Sequence, residues 1–378
     1  MVLLTLIFLE FAAFFGLSQL GFSTASMRPP RSEFESWGAW GIPNTLSRQA
    51  ELCLDVGYRF NSYGARDDER TRIGKDRWIF LGDSFVEGNG VEEDKRMSER
   101  LERLTGKQVL NFGMSGDFGP LQYLILYKNL ASKFEHNGLM VGFLPDNDFT
   151  DNDSLFWSQP DRYNSRFRHR PYYVLHPSSE KISVQYGVFG KSIPRKQFDR
   201  RPISPEEPFT RQIVDTIQDF INYQIAKAEE YSSLVFLTRN ILRNVEAHQL
   251  WPSSAGNTNA TRASGYFTVD KDRLRATEII LKELAIAVGQ RPKVLLIFPR
   301  ERDILVQNET GLRRGPAFAA FIESLRASGW NVIDLSESPD IRRMSDLSLR
   351  CNAHWNASTN QVAAEFIKGK LQELGILN

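Results

Sequence analysis

The feature that most constrains the fold is an alternation between short apolar runs and segments of helical periodicity. Largely apolar runs at residues 78–81, 109–112 and 139–144 each end at a glycine or a proline, and similar runs return at 294–298 and 331–335. Such runs are typical of strands that are buried on both faces of a sheet. The segments between them repeat apolar residues every three or four positions, as amphipathic helices do. The sequence therefore predicts a three-layer α/β domain, with a parallel sheet between two layers of helices.

Residues 153–269 interrupt this alternation. They include an aromatic and basic run at 163–173 and a polar loop at 253–264. Connections of this length are usually either functional or disordered, and the aromatic content favours a functional role. We therefore expect one domain at residues 71–378 that carries a large inserted lid at 153–269.

The N-terminal residues differ from the rest of the chain. Residues 1–22 are nearly all apolar, and a run of about 20 such residues can span a bilayer as a helix. We therefore expect a membrane anchor or a signal peptide at 1–25, followed by an extended arm at 26–70. The protein would then be membrane-anchored or secreted. The alternative is a buried helix of a soluble protein, which Glu10 favours because a carboxylate is costly in hydrocarbon.

Composition limits the partners that the chain can attract. It carries 47 Lys and Arg residues against 46 Asp and Glu residues, a net charge of +1. This balance predicts no long-range attraction to nucleic acid. The two cysteines, Cys53 and Cys351, permit one disulfide but cannot form a cysteine zinc site.

A serine directly follows the first predicted strand, in the motif Gly82-Asp83-Ser84. Open α/β sheets bind their ligands at the carboxyl ends of the strands. The second predicted strand leads into Gly116, and the third leads into Asn147. We therefore expect a hydroxyl, a glycine backbone and an amide side chain to meet at one edge of the sheet.

This set of groups suits acyl transfer. A serine hydroxyl attacks a carbonyl carbon, and fixed N–H donors stabilise the oxyanion that develops. The backbone N–H groups of Ser84 and Gly116 and the side-chain amide of Asn147 are three candidate donors for this oxyanion hole. Of the five histidines, His354 lies just before the last predicted helix and is the candidate base.

The order of these residues resembles the SGNH (GDSL-type) hydrolase superfamily, whose four marker residues are Ser, Gly, Asn and His. The match places Ser84 in Gly-Asp-Ser-Phe, Gly116 in Ser-Gly-Asp, Asn147 in Asn-Asp and His354 in His-Trp-Asn. Residues 61–66, Asn-Ser-Tyr-Gly-Ala-Arg, are also similar to a lead-in of many bacterial members. The resemblance does not cover the insertion.

The resemblance implies a flavodoxin-like, three-layer fold and a serine esterase that carries an acyl group, such as acetyl, on Ser84. Transfer of that group to water would make the protein a hydrolase, and transfer to a sugar hydroxyl would make it an acyltransferase of a cell-envelope glycan. The expected substrate is an ester or an acylated glycan, in the bacterial periplasm or at the cell surface. No cofactor and no metal are implied.

One position departs from the family pattern. Members usually carry an Asp two or three residues before the His, and here those positions hold Asn352 and Cys351. An Asp-to-Asn change in a Ser-His-Asp triad can cost on the order of 10⁴ in turnover. Asn352 can still accept a hydrogen bond from the ring, and Asp346 is a second candidate for the orienting group. The alternative is a catalytically degenerate scaffold that binds carbohydrate.

Two further clusters each allow two interpretations. The first is a set of aspartates that resembles a cation site, but its spacing matches no metal-binding loop, and a solvated loop is favoured. Its members are Asp146, Asp148, Asp151 and Asp153. The second is the run at 163–173, which would either contact an anionic glycan or form a half-exposed strand of alternating charge.

Overall fold

The structure, a computed structural model, describes residues 27–51, 54–116, 118–157, 170–176, 181–187, 264–349 and 352–377, with a few residues between 5 and 15. Most of the expected anchor at 1–25, most of the insertion and both cysteines lie outside these ranges. Among the residues that are described, no helix has the length and hydropathy needed to cross a bilayer.

The described strands and helices follow the predicted alternation. The strands are β1 (Arg31–Glu35), β2 (Gly38–Gly41), β3 (Leu46–Glu51), β4 (Leu54–Arg59), β5 (Arg77–Gly82), β6 (Gln108–Gly113), β7 (Gly138–Phe143), β8 (Pro171–His176), β9 (Lys181–Tyr186), β10 (Lys293–Ile297), β11 (Asn331–Asp334), β12 (Ser348–Leu349) and β13 (Asn352–Trp355). The helices are α1 (Ser84–Glu87), α2 (Met97–Thr105), α3 (Pro120–Asn129), α4 (Ser154–Trp157), α5 (Lys271–Val288), α6 (Glu301–Thr310), α7 (Pro316–Ala327), α8 (Pro339–Arg343) and α9 (Ala357–Glu373).

Five parallel strands form the central sheet, in the order β11-β10-β7-β5-β6. The two strands β5 and β7 are buried along their whole length. Ile79 and Leu81 of β5 point into a core shared with α3, α5 and α7, whereas Phe80 points into a second core shared with α2, α6, α8 and α9. The sheet is therefore covered on both faces, and the predicted three-layer α/β fold is confirmed.

Residues 26–70, expected to be an extended arm, form two antiparallel hairpins where they are described. β1 pairs with β2, and all six residues of β3 pair with the six residues of β4. Trp40 and Phe60 are buried in the core that contains α3 and α5. β4 does alternate, with Leu54, Val56 and Tyr58 buried at every second position. Strands β1, β2 and β3 are short and show no such alternation, so the sequence gives only a weak signal for the two hairpins.

The described part of the insertion includes the short helix α4 and a hairpin of β8 and β9 that packs against α3 and α5. Asn152 anchors its first strand by donating from Nδ2 to the carbonyl of Pro171 at 3.2 Å. Tyr172, the second residue of β8, is buried. The role of the insertion as a lid stays a prediction, because most of its residues lie outside the described ranges.

Candidate active site

The candidate nucleophile, Ser84, is the first residue of α1 and directly follows β5. The Asp83 side chain caps this short helix by accepting a hydrogen bond from the Phe85 N–H at 2.9 Å, as residues of this type do at helix starts. Gly113 at the end of β6 packs against the same helix. A Cβ at position 113 would lie 2.2 Å from the backbone nitrogen of Glu87. A glycine is therefore required there for the end of β6 to approach the turn that holds Ser84.

The candidate base, His354, lies on β13, which is paired with β12 just before α9. Its Nε2 is 2.7 Å from Ser84 Oγ, although 270 positions separate the two residues in the sequence. The Phe85 ring lies 5.1 Å from the imidazole, centroid to centroid. Trp355 donates from Nε1 to the carbonyl of Pro299 at 3.1 Å. These contacts attach the histidine strand to the carboxyl end of the sheet.

Asn352 occupies the position of the orienting group. Its Oδ1 accepts a short hydrogen bond from Nδ1 of His354, and it also accepts from the His354 backbone N–H at 3.2 Å. Asp346, the other candidate, is exposed, and its backbone carbonyl accepts from Asn356 at 2.8 Å. The structure therefore brings Ser84, His354 and Asn352 together and leaves Asp346 outside the group.

The candidate oxyanion donors lie around the same edge of the sheet. Asn147 donates from Nδ2 to Oδ2 of Asp83 at 3.3 Å, so its amide is adjacent to the nucleophile turn. Gly116 has a φ of +102°, a conformation that favours glycine. Among the described residues, the backbone N–H groups of Ser84 and Gly116 have no protein acceptor. These two groups are thus available to a ligand.

A buried network that the sequence did not predict supports the loop before Gly116. Glu87 is fully buried and accepts hydrogen bonds from the backbone N–H of Ser115, at 3.0 Å, and from the Ser115 hydroxyl. Arg31 of β1 pairs with the same carboxylate at 3.1 Å and donates to the carbonyl of Ser115, also at 3.1 Å. No local sequence signal links Arg31 to this loop, because the contact is made only in the folded chain.

The aspartate cluster at 146–153 is held by protein groups rather than by solvent. Asp146 pairs with Arg300 at 2.9 Å and also with Arg302. Asp148 accepts from the Tyr123 hydroxyl at 2.8 Å, and Asp153 pairs with Arg273 at 2.7 Å. The expectation of a solvated loop is therefore wrong for these residues. Within the described ranges no group of side chains is arranged to hold a metal ion.

The described end of the aromatic and basic run at 163–173 is internal. Arg170 is buried, with its guanidinium 5.0 Å from the Trp157 ring and 5.2 Å from the Tyr172 ring. These residues therefore pack inside the protein rather than facing a glycan. The rest of the run lies outside the described residues.

The surroundings shift two ionisable groups next to Ser84 in opposite directions. Burial raises the pKa of the Asp83 carboxyl to about 6, against hydrogen bonds from Phe85 and Asn147 that lower it. Burial lowers the pKa of His354 to about 3, and the positive charge of Arg300 lowers it further. The imidazole is therefore neutral over the range in which most histidines titrate, as a general base must be.

We expect a ¹³C-histidine NMR titration to find His354 neutral at pH 5, with its resonance identified by loss in His354→Gln. Arg300→Gln should raise the His354 pKa because it removes a nearby positive charge. The control is Arg302→Gln, which removes a second positive charge that pairs with Asp146 and should leave the His354 pKa nearly unchanged. Because the folded-state pKa lies below that of the unfolded chain, this histidine should cost stability as the pH falls from about 6.5 towards 3. A His354 pKa near 6.5 would contradict the prediction that this imidazole is buried and neutral at pH 5.

Comparisons with known proteins give distant likenesses only. No family model matches the sequence, and no curated protein matches it either. Among solved structures, the chain is similar to a lipolytic protein of the G-D-S-L family from Desulfitobacterium hafniense, with 9% identity, a TM-score of 0.33 and coverage of 78% of this chain and 99% of that one.

Two other solved structures show a likeness of the same order. One is a salicylyl-acyltransferase from a tetracycline biosynthetic pathway, with 13% identity, a TM-score of 0.35 and coverage of 82% of this chain and 57% of that one. The other is an acetyl xylan esterase from the rumen bacterium Butyrivibrio proteoclasticus, with 10% identity, a TM-score of 0.31 and coverage of 82% of this chain and 67% of that one. At such scores these likenesses assign neither a family nor a substrate to the chain.

Proposed function

We propose that this protein is a serine esterase or acyltransferase of the SGNH type, in which Ser84 forms an acyl-enzyme. The observation that carries the proposal is the contact of 2.7 Å between Ser84 Oγ and His354 Nε2, with Asn352 bonded to the other ring nitrogen. This is the arrangement of a nucleophile, a base and a group that orients the base.

The reaction follows from this geometry. The Ser84 oxygen attacks the ester carbonyl carbon while its proton passes to Nε2 of His354. The carbonyl oxygen becomes an oxyanion, and the N–H groups of Ser84, Gly116 and Asn147 donate to it. The intermediate then collapses, and the protonated His354 returns the proton to the leaving alkoxide. A water molecule or a sugar hydroxyl next attacks the acyl-enzyme, with His354 again accepting the proton. The bond between the acyl carbon and Ser84 Oγ then breaks, and His354 returns the proton to Ser84.

We further propose an acetylated glycan of the cell envelope as the substrate, with the protein anchored or exported through residues 1–25. The support for export is the apolar composition of residues 1–22. The support for a small acyl group is the resemblance of the four marker residues to the SGNH pattern. A hydrolase and a transferase share every step up to the acyl-enzyme, and they differ only in the hydroxyl that attacks it.

A fluorophosphonate probe tests the proposed nucleophile directly, because only an activated serine reacts with it. We expect the native protein to be labelled and the phosphonate to be found by mass spectrometry on the peptide that contains Ser84. Heat-denatured protein should not react, since unfolding separates Ser84 from His354. Absence of label on the folded protein would favour the alternative of a degenerate scaffold that binds carbohydrate.

A further inference from the structure

The hydrogen bonds of Asn352 extend beyond the histidine to a carboxylate of the N-terminal hairpins. Asn352 donates from Nδ2 to Oε2 of Glu51 at 3.2 Å, across 301 positions of sequence. Glu51 is the last residue of β3 and lies outside the central sheet. The residue bonded to the imidazole is thus an amide, Asn352, and a carboxylate, that of Glu51, is bonded to the other end of this amide.

The neighbours of Asn352 determine which way its amide points. The backbone N–H of His354 can only donate, so the atom that faces it at 3.2 Å is the oxygen. The Glu51 carboxylate accepts, so the atom that faces it is the nitrogen. The oxygen of Asn352 is therefore directed at Nδ1 of His354, which must carry a hydrogen. The lone pair of Nε2 is then left to accept from Ser84 Oγ.

Glu51 is itself held in place by the same hairpin. Gln49 donates from Nε2 to Oε1 of Glu51 at 3.2 Å and to Oδ1 of Asn89 at 2.9 Å. Gln49 also accepts from the backbone N–H of Gly90 at 3.0 Å. One carboxylate oxygen is therefore bonded to Gln49 and the other to Asn352. Since Asn89 and Gly90 directly follow α1, the hairpin is attached to the turn that carries Ser84.

We infer that Glu51 is a positioning residue for acyl transfer, acting on His354 through Asn352; this rests on the proposed function. It holds the amide in the orientation that selects the reactive tautomer of the imidazole. Its negative charge also stabilises the imidazolium that forms during attack, a charge that Asn352 alone cannot compensate. No proton passes along this chain, because an amide does not accept and return one. The missing acid of the triad is thus replaced by a carboxylate from another part of the fold.

Glu51→Gln removes the charge and keeps the size of the side chain. Its one oxygen can accept from Asn352, and only the hydrogen bond from Gln49 is lost. We expect kcat on a p-nitrophenyl ester to fall by about 10- to 100-fold, as for other residues that orient a reacting group. KM should stay unchanged, because the charge acts only when the imidazolium forms. The matched control is Asp55→Asn on the same hairpin, whose carboxylate pairs with Arg48 at 2.6 Å. The control should retain full activity.

The effect of Glu51→Gln should reverse sign in the Asn352→Asp background. There, two carboxylates would lie side by side, and like charges at that distance oppose each other. Removing the charge of Glu51 should then raise kcat by at least about tenfold, leaving an ordinary Ser-His-Asp group. A merely structural role of the hairpin would lower kcat in both backgrounds. Equal effects in both backgrounds, or no effect in either, would overturn the inference.

A readout without substrate separates this inference from the proposed function. ¹⁵N NMR of the imidazole reports which ring nitrogen of His354 carries the hydrogen, whether or not the protein turns over an ester. We expect the Nδ1–H form in the native protein, a smaller fraction of it in Glu51→Leu, and no change in Asp55→Leu. If the fraction is the same in all three proteins, Glu51 does not position Asn352. If the native protein neither reacts with fluorophosphonate nor hydrolyses esters, only the proposed function fails.

Discussion

Replacing Ser84 with alanine should lower kcat/KM for a short p-nitrophenyl ester by at least about 10⁴-fold. Within the described ranges, the Ser84 hydroxyl is the nucleophile placed against His354 Nε2, at 2.7 Å, and without it the proposed acyl-enzyme cannot form. Any residual rate would come from direct attack of water on the ester, assisted by His354 and the oxyanion donors. The measurement is a steady-state assay of the purified variant beside the native protein.

The stability of the same variant should be nearly unchanged. Within the described residues the Ser84 side chain is hydrogen-bonded to His354, and Ser84 is only partly buried, so loss of its hydroxyl leaves few groups unsatisfied. Ser132→Ala is a matched control, because Ser132 is exposed and bonds only weakly, at 3.4 Å, to the Lys128 carbonyl. Full activity in Ser84→Ala would show that the nucleophile lies elsewhere.

Replacing Arg66 with methionine should lower the free energy of unfolding by about 3 kcal/mol, since a buried carbonyl that loses its donor typically costs about 1–3 kcal/mol. Arg66 is fully buried and donates to four backbone carbonyls. They belong to Glu87, Gly88, Gly57 and Val91, at 3.2, 2.5, 3.1 and 2.8 Å. Its guanidinium also lies 3.5 Å from the centre of the Tyr58 ring. Methionine fills the volume but cannot donate to these carbonyls, of which that of Gly88 keeps the Val91 N–H as a donor at 3.2 Å.

Urea unfolding measures this loss. Arg48→Met provides the control, because Arg48 is exposed and its pair with Asp55 is of the kind that contributes little to stability. We also expect Arg66→Met to weaken the attachment of β4 to α1, since two of the four carbonyls end that helix. Equal stability of the two variants would mean that Arg66 does not join the hairpins to the nucleophile turn.

The residues of the central sheet could be predicted because their signal is local. A buried parallel strand needs an apolar run, and the helix that follows needs an apolar stripe, so both patterns are present within a dozen residues. Ser84 lies two residues after the end of β5 and Asn147 four residues after the end of β7, and the parallel arrangement brings such positions to one edge. His354 was found in the same way, from its place before α9.

The hairpins could not be predicted, and neither could the residues that they bring to the site. Arg31, Glu51 and Arg66 lie in a stretch where β4 alternates regularly but the other strands do not, and nothing near them in the sequence indicates their partners. From the sequence, residues 61–66 show only a similarity to a segment of many bacterial SGNH members. The physical role of this segment, the binding of four carbonyls by Arg66, required the packed structure.

The orienting group shows most clearly where local sequence stops being informative. Spacing before His354 left Asn352 and Asp346 both open, because either loop position could turn towards the ring. The antiparallel pairing of β12 with β13 places Asn352 against Nδ1 and leaves Asp346 exposed. The carboxylate that accepts from this amide, Glu51, comes from a hairpin 301 positions away. Periodicity reports which face of an element is buried, whereas charge compensation at the histidine depends on distances through space that only the folded chain creates.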